Sequence, residues 1–248
     1  MTAGPTHEPI DEVRHLGNRS SGRVGVEIAL AAARRDWPTT VLLGPVSDLA
    51  GLAIAPPSAS AAGPSDGGAR SPTGIADLNA IELVRFVTAQ DLETQLAIHG
   101  PESDLLVMAA AVADHRPARV HPGKLRREGG PLSLELEPVP DLVGEFAVRR
   151  RVVCGRRRPF IVAFALEPAS SLETSARVKL ARKGVDAIVA NPIETLASDG
   201  IDATLIAADG GSSRPAPIGN AVSKRIFADW LLDQVAVAIS DEVPPAAP

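Results

Sequence analysis

The sequence has few of the residues that form disulfides or stack against nucleic-acid bases. Its 248 residues include one cysteine, Cys154, no tyrosine and only 3% aromatic residues. A single cysteine cannot form an internal disulfide, which favours a reducing, cytoplasmic location. The scarcity of aromatic residues, together with a net charge of -5, argues against a dedicated nucleic-acid-binding protein.

Long apolar runs and the common nucleotide-binding fingerprints are also absent. The longest apolar run, Leu105 to Ala113, has about half the length that a membrane-spanning helix requires. The start, MTAGPT, has neither the basic region nor the apolar core of a secretion signal. Neither GxGxxG nor GxxxxGK[ST] occurs. We therefore expect a small-molecule partner, with no nucleic acid and no membrane.

Short β-branched runs alternate with longer helical segments, which is typical of a mostly parallel sheet with helices on both faces, an α/β fold. The runs predict strands at Thr39–Leu43, Val84–Val87, Leu105–Ala109, Phe160–Phe164, Ala187–Ala190 and Thr204–Ala207. The longer segments predict helices at Val24–Arg35, Ala89–His99, Asp141–Arg151, Ser171–Lys183 and Ser223–Ile239. Ser170 followed by Glu173 has the spacing of a capping box before the fourth helix.

Three segments stand apart from this alternation within a single predicted domain, residues 1–243. Residues 56–74 contain mainly Pro, Ser, Ala and Gly, which predicts a flexible insertion whose deletion leaves activity nearly unchanged. Residues 244–248 predict a disordered tail. An arginine run predicts a solvated helix end and loop, with an anion or nucleic-acid patch as the alternative; it comprises Arg149, Arg150, Arg151, Arg156, Arg157 and Arg158.

The segment Asn18-Arg-Ser-Ser-Gly22 lies immediately before an alanine-rich helix. Hydroxyls and backbone N–H groups at the positive end of a helix dipole can bind an anion. Ser20 or Ser21 can instead simply cap the helix. The spacing alone does not decide between these two interpretations.

Two further motifs follow the third predicted strand. Met108-Ala-Ala-Ala-Val-Ala-Asp114 places small residues at a strand end, where a ligand can approach the backbone, and Asp114 offers a ribose or metal ligand or simply starts a turn. Lys124-Leu-Arg-Arg127 lies between glycines, as in a mobile flap that closes over phosphates. An exposed basic loop is the alternative.

Another group of candidate residues lies in the C-terminal half. It comprises Pro140 to Val143, Phe164 at a strand end, and Lys179 with Lys183. The two lysines are four residues apart on one helix face and repel each other, so an anion between them would explain the arrangement. An exposed helix face is the alternative.

Taken in order, these motifs resemble the phosphopantothenoylcysteine synthetases of coenzyme A biosynthesis, the ligase half of a bifunctional bacterial enzyme. GPTHEPIDEVR is similar to the family's GPTREPIDPVR, NRSSGRVG to NxSSGKMG, AAAVADHRP to AAVADYRP, and KLRR to KIKK. VPDLV resembles NPDIL, IVAFALE resembles VGFAAE, and the two lysines precede VDAIVANP. The resemblance covers nearly the whole chain outside the insertion and implies a Rossmann-like three-layer sandwich.

The resemblance also implies the reaction. A nucleoside triphosphate, CTP or ATP, with Mg²⁺ activates the phosphopantothenate carboxylate as an acyl-nucleotide, and the amine of cysteine then displaces the nucleotide. Asn18 and Lys124 would be catalytic, and Arg14, Asn18, Ala110 and Ala111 would bind substrate. The nucleotide would be bound by Ser20, Ser21, Gly22, Asp114, Lys124, Pro140, Asp141, Leu142, Val143, Phe164, Lys179 and Lys183.

The family is dimeric, with a site completed across subunits, so a homodimer is expected. Its flavin-dependent decarboxylase half is absent from this sequence, so no FMN site is expected. The sequence departs from the family motifs at His7, His115, Ala163 and Pro168, which stand where Arg, Tyr, Gly and Thr are usual. Two alternatives keep the fold: a nucleotide-binding protein without turnover, and an NAD(P) oxidoreductase that lacks a ribose-binding acid at Leu43-Gly44-Pro45.

The start of the chain is unusual for this family, in which a buried parallel strand precedes the GPT turn. Met1 stands only three residues before Gly4, which leaves no room for that strand. A sheet that lacks an interior strand would expose unpaired backbone groups. We therefore expect that the natural chain starts upstream and that a chain beginning at Met1 is poorly stable.

Overall fold

The computed structural model describes residues 1–46, 81–127, 131–153, 156–195 and 198–241. The predicted insertion, 56–74, and the predicted tail, 244–248, lie outside these described residues. No helix in the described ranges combines the length and the hydropathy that a membrane span needs.

The described residues contain the six predicted strands, the five predicted helices and ten further strands of two or three residues. The strands are β1 (Thr2–Ala3), β2 (His7–Pro9), β3 (His15–Gly17), β4 (Thr39–Leu43), β5 (Ile81–Arg85), β6 (Leu105–Met108), β7 (His115–Pro117), β8 (Leu136–Pro138), β9 (Arg151–Val153), β10 (Arg156–Arg158), β11 (Phe160–Glu167), β12 (Ala187–Pro192), β13 (Gly200–Ile201), β14 (Thr204–Ala207), β15 (Ser212–Ser213) and β16 (Val222–Ser223). The helices are α1 (Arg23–Ala33), α2 (Ala89–His99), α3 (Leu142–Arg149), α4 (Leu172–Lys183) and α5 (Lys224–Asp241). Every predicted strand and helix is present, with ends that differ by at most three residues.

Eight strands of the described chain form one sheet in the order β5-β4-β1-β6-β11-β12-β14-β15. The six strands from β5 to β12 are parallel, and β14 and β15 add an antiparallel edge. The chain proceeds from β1 outward to β4 and β5 and then returns to the other side of β1 at β6. The sheet therefore has a topological switch point between β1 and β6, where open α/β sheets bind ligands.

Helices cover both faces of this sheet. On one face, Ile28 of α1 and Phe227 and Leu231 of α5 are buried in a common core. On the other face, Leu92 of α2 and Leu180 of α4 are buried in a second core, together with residues of α3. The predicted three-layer α/β architecture with a mostly parallel sheet is confirmed.

Thr2 and Ala3 occupy the interior position between β4 and β6 that was expected to be empty. Thr2 and Ala3 are completely buried between β4 and β6. The carbonyl groups of Met1 and Ala3 accept hydrogen bonds from the N–H groups of Leu42 (2.8 Å) and Gly44 (2.9 Å). The expectation that no strand fits before Gly4 is wrong, because Thr2 and Ala3 form a strand that pairs with both neighbours.

Two local predictions at helix and strand ends are also wrong. The capping box predicted from Ser170 and Glu173 is absent. The N-cap of α4 is Ser171, which makes no side-chain capping bond, and Glu173 accepts a hydrogen bond from Arg177 at 2.7 Å. The second predicted strand ends at Arg85 rather than Val87. The Val87 carbonyl accepts the His7 N–H (2.8 Å), so it turns away from the main sheet toward β2.

The arginine run is structured rather than simply solvated. Arg151–Val153 and Arg156–Arg158 pair as an antiparallel hairpin. The Arg150 side chain is only 2% exposed, and its guanidinium forms an ion pair with Asp186 and donates to the Gly184 carbonyl at 2.9 Å. The solvated interpretation is therefore wrong for Arg150, whose charge is compensated by a carboxylate distant in the sequence.

Candidate active site

The loops that follow β1 and β6 are joined by hydrogen bonds at the switch point. The Ala111 N–H donates to the Gly4 carbonyl (2.9 Å), and the Thr6 N–H donates to the Ala111 carbonyl (3.2 Å). The buried Thr6 hydroxyl accepts the Ala113 N–H at 3.0 Å. These bonds extend the parallel pairing beyond the sheet. They leave Ala110 and Ala111 half-buried at the carboxyl edge, where small side chains give a ligand access to the backbone.

Glycines allow α1 to begin close to the same loops. Gly22, the N-cap residue of α1, has a φ of 73°, a left-handed conformation that favours glycine. A Cβ atom at Gly22 would lie 3.2 Å from the Gly4 nitrogen and 3.1 Å from a methyl group of Val46. Side chains at this position would therefore push the helix N-terminus away from the end of β1.

The structure decides whether the serines before α1 cap the helix. The Ser20 hydroxyl accepts the Gly22 N–H (3.3 Å), and no side chain of the described residues caps the first turn. Ser21 is exposed. The capping interpretation is wrong, and the first N–H groups of α1 stay available to an anion at the positive end of the helix dipole.

Asn18 connects the hairpin β2–β3 to the small-residue segment after β6. Its side-chain Nδ2 donates to the Val112 carbonyl at 2.8 Å, and the residue is exposed. A carboxamide has two N–H donors, so one remains for a ligand. The predicted substrate-side residues Asn18, Ala110 and Ala111 therefore lie together at the switch point.

Asp114 ends the same segment and is exposed. Its backbone carbonyl accepts the Val139 N–H at 2.9 Å, which brings Pro140 and the start of α3 toward the carboxyl edge of β6. No group of three His, Cys, Asp or Glu side chains in the described ranges could hold a metal ion. Asp114 can therefore contribute one carboxylate to a cation that takes its other ligands from water and phosphate.

The flap segment is held against the hairpin instead of standing free. Lys124 is exposed, and its ammonium forms no hydrogen bond or ion pair with the described residues. The next residue, Leu125, donates its N–H to Asp11 (3.0 Å) and accepts a hydrogen bond from the Arg14 guanidinium (2.7 Å). Arg14, a predicted substrate-binding residue, thus contacts the flap backbone.

The two lysines of α4 are each paired with a separate carboxylate. Lys183 Nζ lies 2.5 Å from Asp141 Oδ1. Lys179 Nζ lies 2.5 Å from Glu167 Oε1, and this second pair is an ion pair that lacks hydrogen-bond geometry. Burial disfavours ionisation of Asp141, but Lys183 and the Gly144 N–H outweigh it and lower the pKa of that carboxyl. The expected anion between the lysines is therefore not needed to explain their spacing.

Phe164, which was expected at a strand end, lies inside β11 because that strand continues to Glu167, and it faces a different layer from these lysines. Its ring makes an edge contact with Phe227 of α5, with centroids 6.4 Å apart, and it packs with the core under α1 and α5. Lys179 and Lys183 belong to α4, on the opposite face of the sheet. The structure brings Asp141, Leu142 and Val143 near the lysines, but a nucleotide that also contacts Phe164 has to reach across the end of β11.

Sequence reasoning missed two buried acids in GPTHEPIDEVR. Glu8 is 2% exposed, and its carboxylate accepts the Ala89 N–H at the start of α2 (2.9 Å). Asp11 is 4% exposed and accepts three backbone N–H groups. An Asp side chain often accepts the backbone N–H two residues on in a turn, as Asp11 does from Val13, but the burial of both acids follows only from their distant partners.

A well-formed cavity lies elsewhere in the described residues. It has a volume of about 570 Å³ and lies between α2 and α3, lined by residues that include Leu96, Phe146 and Arg150. Leu142 is the only predicted site residue that lines it. The candidate active site is therefore an open edge of the sheet rather than this cavity.

The fold and the site define a Rossmann-like α/β protein with a ligand site at the carboxyl edge, beside a helix N-terminus. A model of the family described as "DNA/pantothenate metabolism flavoprotein C-terminal domain" matches residues 1–62 and 47–238. The chain belongs to this family, the phosphopantothenoylcysteine synthetase family that the motifs indicate.

Relatives and solved structures agree with this assignment. The coenzyme A biosynthesis bifunctional protein CoaBC of Mycobacterium bovis is 35% identical over 221 residues, which are 86% of this chain and 46% of the relative. The C-terminal domain of a CoaBC protein superposes with a TM-score of 0.70 at 26% identity, covering 97% of this chain and 94% of that one. A Cab2 mutant in complex with phosphopantothenate-cysteine shares the fold, with a TM-score of 0.66 at 18% identity, covering 97% and 85%. The chain spans about half the length of the curated relative it matches.

Proposed function

We propose that this protein is a phosphopantothenate–cysteine ligase that uses a nucleoside triphosphate, CTP or ATP. The observation that carries the proposal is the Asn18–Val112 hydrogen bond of 2.8 Å. It joins the NRSSG and AAAVAD motifs at the switch point of a Rossmann-like sheet, beside the N-terminus of α1. Membership of the family and the relatives named above support the same reaction.

The proposed reaction has two steps because a carboxylate resists attack by an amine. In the first step a carboxylate oxygen of phosphopantothenate bonds to the α-phosphorus of the nucleotide, and pyrophosphate leaves. In the second step the cysteine nitrogen bonds to the acyl carbon, and the nucleoside monophosphate leaves with the former carboxylate oxygen. Phosphopantothenoylcysteine is the product.

Asn18 and Lys124 perform the charge-stabilising roles in this proposal. The free N–H of the Asn18 carboxamide donates to the acyl oxygen, both in the acyl-nucleotide and in the tetrahedral oxyanion formed by cysteine attack. Lys124, whose ammonium has no protein partner in the described residues, neutralises phosphate charge. Arg14 with Ala110 and Ala111 lines the substrate side.

The nucleotide is bound by two groups of residues. Ser20, Ser21 and Gly22 bind phosphate with the N–H groups of α1, and Asp114 holds ribose or Mg²⁺. A single carboxylate is enough to bind Mg²⁺, because this ion takes water and phosphate oxygens as its other ligands. When bound, Mg²⁺ would neutralise charge on the phosphates. Pro140 to Val143, Phe164, Lys179 and Lys183 contact the rest of the nucleotide, and both lysines have to exchange or share their carboxylate partners.

The remaining parts of the proposal concern assembly and location. We expect a cytoplasmic homodimer that works without flavin. A dimer would bring the open carboxyl edge of one subunit against a second copy, which would exclude water from an acyl-nucleotide that water can hydrolyse.

Pyrophosphate release tests the proposed function. The purified chain should release pyrophosphate with phosphopantothenate, cysteine, Mg²⁺ and either CTP or ATP, and one nucleotide should be preferred. Nucleotide binding without pyrophosphate release under all conditions would contradict ligase activity and favour a binding protein. Reactions that omit phosphopantothenate serve as the control for nucleotide hydrolysis.

A further inference from the structure

The side chain of Asp11 is completely buried at the tip of the β2–β3 hairpin, beside exposed neighbours. Its side chain has 0% exposure, whereas Glu12 and Val13 next to it are exposed. Asp11 Oδ1 accepts the N–H groups of Val13 (2.8 Å) and Arg14 (2.7 Å), which closes the turn between β2 and β3. These two bonds account for only one of the carboxylate oxygens.

The second oxygen points at the flap. Asp11 Oδ2 accepts the Leu125 N–H at 3.0 Å and lies 3.5 Å from Nη1 of Arg14. Arg14 Nη2 donates to the Leu125 carbonyl at 2.7 Å, so both backbone polar groups of Leu125 are bound by the same acid–arginine pair. Leu125 and Asp11 are 114 residues apart in the sequence.

A second contact secures the other side of Lys124. The His121 N–H donates to the Ile10 carbonyl at 2.9 Å, one residue before Asp11. Lys124 therefore lies between two points at which the flap is attached to the hairpin tip. The same hairpin continues through β3 to Asn18, so it connects both residues of the proposed charge-stabilising pair.

The hydrogen bonds around Asp11 favour its charged form. Burial alone would favour the neutral acid, but the backbone hydrogen bonds from Val13, Leu125 and Arg14 outweigh it, and the pKa of Asp11 lies below its ordinary value. The carboxylate thus stays charged at neutral pH and keeps its acceptors directed at the turn and at the flap.

We propose that Asp11 is a positioning residue, which fixes the Lys124 flap to the hairpin that carries Asn18 and acts on the reaction only through Lys124. The catalytic part of this inference rests on the proposed ligase function. The anchoring part does not, because it concerns the contact between Asp11 and Leu125 alone.

Asp11→Asn separates the two halves of the contact. An asparagine Oδ1 can still accept the Val13 and Arg14 N–H groups, but its NH₂ group would face the Leu125 N–H and Arg14. Asp11→Ser is the second variant, because a serine hydroxyl supports a similar turn but is too short to reach Leu125. Asp202→Asn is the matched control, since Asp202 likewise joins an arginine, Arg214, to the N–H of a different loop, at Gly219.

The first measurement is the rate of tryptic cleavage after Lys124 and Arg126, read by mass spectrometry on the full chain without ligands. We expect Asp11→Asn and Asp11→Ser to raise this rate about tenfold relative to other cleavage sites, and Asp202→Asn to leave it unchanged. Equal cleavage in the Asp11 variants and the wild type, with both folded, overturns the anchor. This readout is independent of ligase activity.

The second measurement is a double-mutant cycle on pyrophosphate release. We expect Asp11→Asn to lower kcat/KM for the nucleotide about tenfold in the wild type, but to have no further effect in a Lys124→Gln background. Equal losses in both backgrounds would show that Asp11 acts on stability or another group and would overturn the positioning role. If the wild type itself releases no pyrophosphate, the proposed function fails, and the cleavage rates still decide whether Asp11 anchors the flap.

Discussion

Arg150 and Asp186 form an ion pair that fastens α3 to the amino ends of β11 and β12. The Asp186 carboxylate also accepts the Ile161 N–H at 2.7 Å, and the Arg150 guanidinium donates to the Pro159 carbonyl at 3.3 Å. The Arg150 side chain is 2% exposed, against 70% for its neighbour Arg149. Two adjacent arginines of one charged run thus have different environments.

Arg150→Met should lower the free energy of unfolding by about 3 kcal/mol, the low end for breaking a buried ion pair, because Asp186 keeps the Ile161 N–H. Arg149→Met is the matched control, and its exposed pair with Glu145 predicts a loss below about 0.5 kcal/mol. Urea unfolding of both variants checks the difference. Equal losses of unfolding free energy in the two variants would show that the buried ion pair of Arg150 stabilises the fold no more than the exposed pair of Arg149.

The lowered pKa of His7 predicts that the folded protein loses stability at mildly acidic pH. Burial lowers the pKa of His7 below its ordinary value of 6.5, the charge of the stacked His15 lowers it further, and Glu8 opposes the change. Between the lowered pKa and 6.5 the unfolded chain binds more protons than the folded chain, so the free energy of unfolding falls as pH falls through this window.

His7→Phe should keep an aromatic ring beside His15 and make unfolding less sensitive to pH between about pH 7 and about pH 5. Urea midpoints across this range measure the slope. His121→Phe, at an exposed histidine, is the control that should retain the wild-type slope. An unchanged slope in His7→Phe would remove His7 as its cause.

Lys124→Gln should reduce the rate of pyrophosphate release at least about a hundredfold, the usual effect of losing one charge-stabilising group. The side chain is exposed, so the melting temperature should stay close to that of the wild type. Arg126→Gln removes another exposed cation of the same segment and should have a much smaller effect. Near-normal turnover in Lys124→Gln would exclude Lys124 from the mechanism.

Asn18→Asp should slow both half-reactions by about a hundredfold. The new carboxylate would place negative charge beside the developing oxyanion and an oxygen opposite the Val112 carbonyl. Rapid-quench measurement of acyl-nucleotide formation and of its discharge by cysteine separates the two steps. Asn220→Asp, in an exposed loop, controls for the added charge. Wild-type rates for both steps would contradict the role of Asn18.

The six strands of four or more residues and the five helices were predictable because β-branched runs and helical periodicity are local, whereas the ten described strands of two or three residues were not. Thr2–Ala3 was missed because a two-residue strand has no pattern of its own, and its stability comes from β4 and β6. Ser170 and Glu173 match a capping box in spacing, but Arg177 binds the glutamate instead.

The candidate site was predictable at the level of motifs and not at the level of contacts. Small residues after β6 and the glycine before α1 indicate a ligand site because their chemistry is readable from the sequence. The partners of Asp11, Lys179 and Lys183 depend on contacts between distant segments, so composition and spacing could not identify them.

The most direct test of the ligase assignment is a single-turnover reaction of the enzyme with phosphopantothenate, Mg²⁺ and labelled CTP or ATP, without cysteine. Mass spectrometry should detect an acyl-nucleotide, formed in amounts equal to the pyrophosphate released. Addition of cysteine should then convert this species to phosphopantothenoylcysteine and nucleoside monophosphate. Absence of the acyl-nucleotide and of pyrophosphate with both nucleotides, in a folded protein that binds them, would contradict the account.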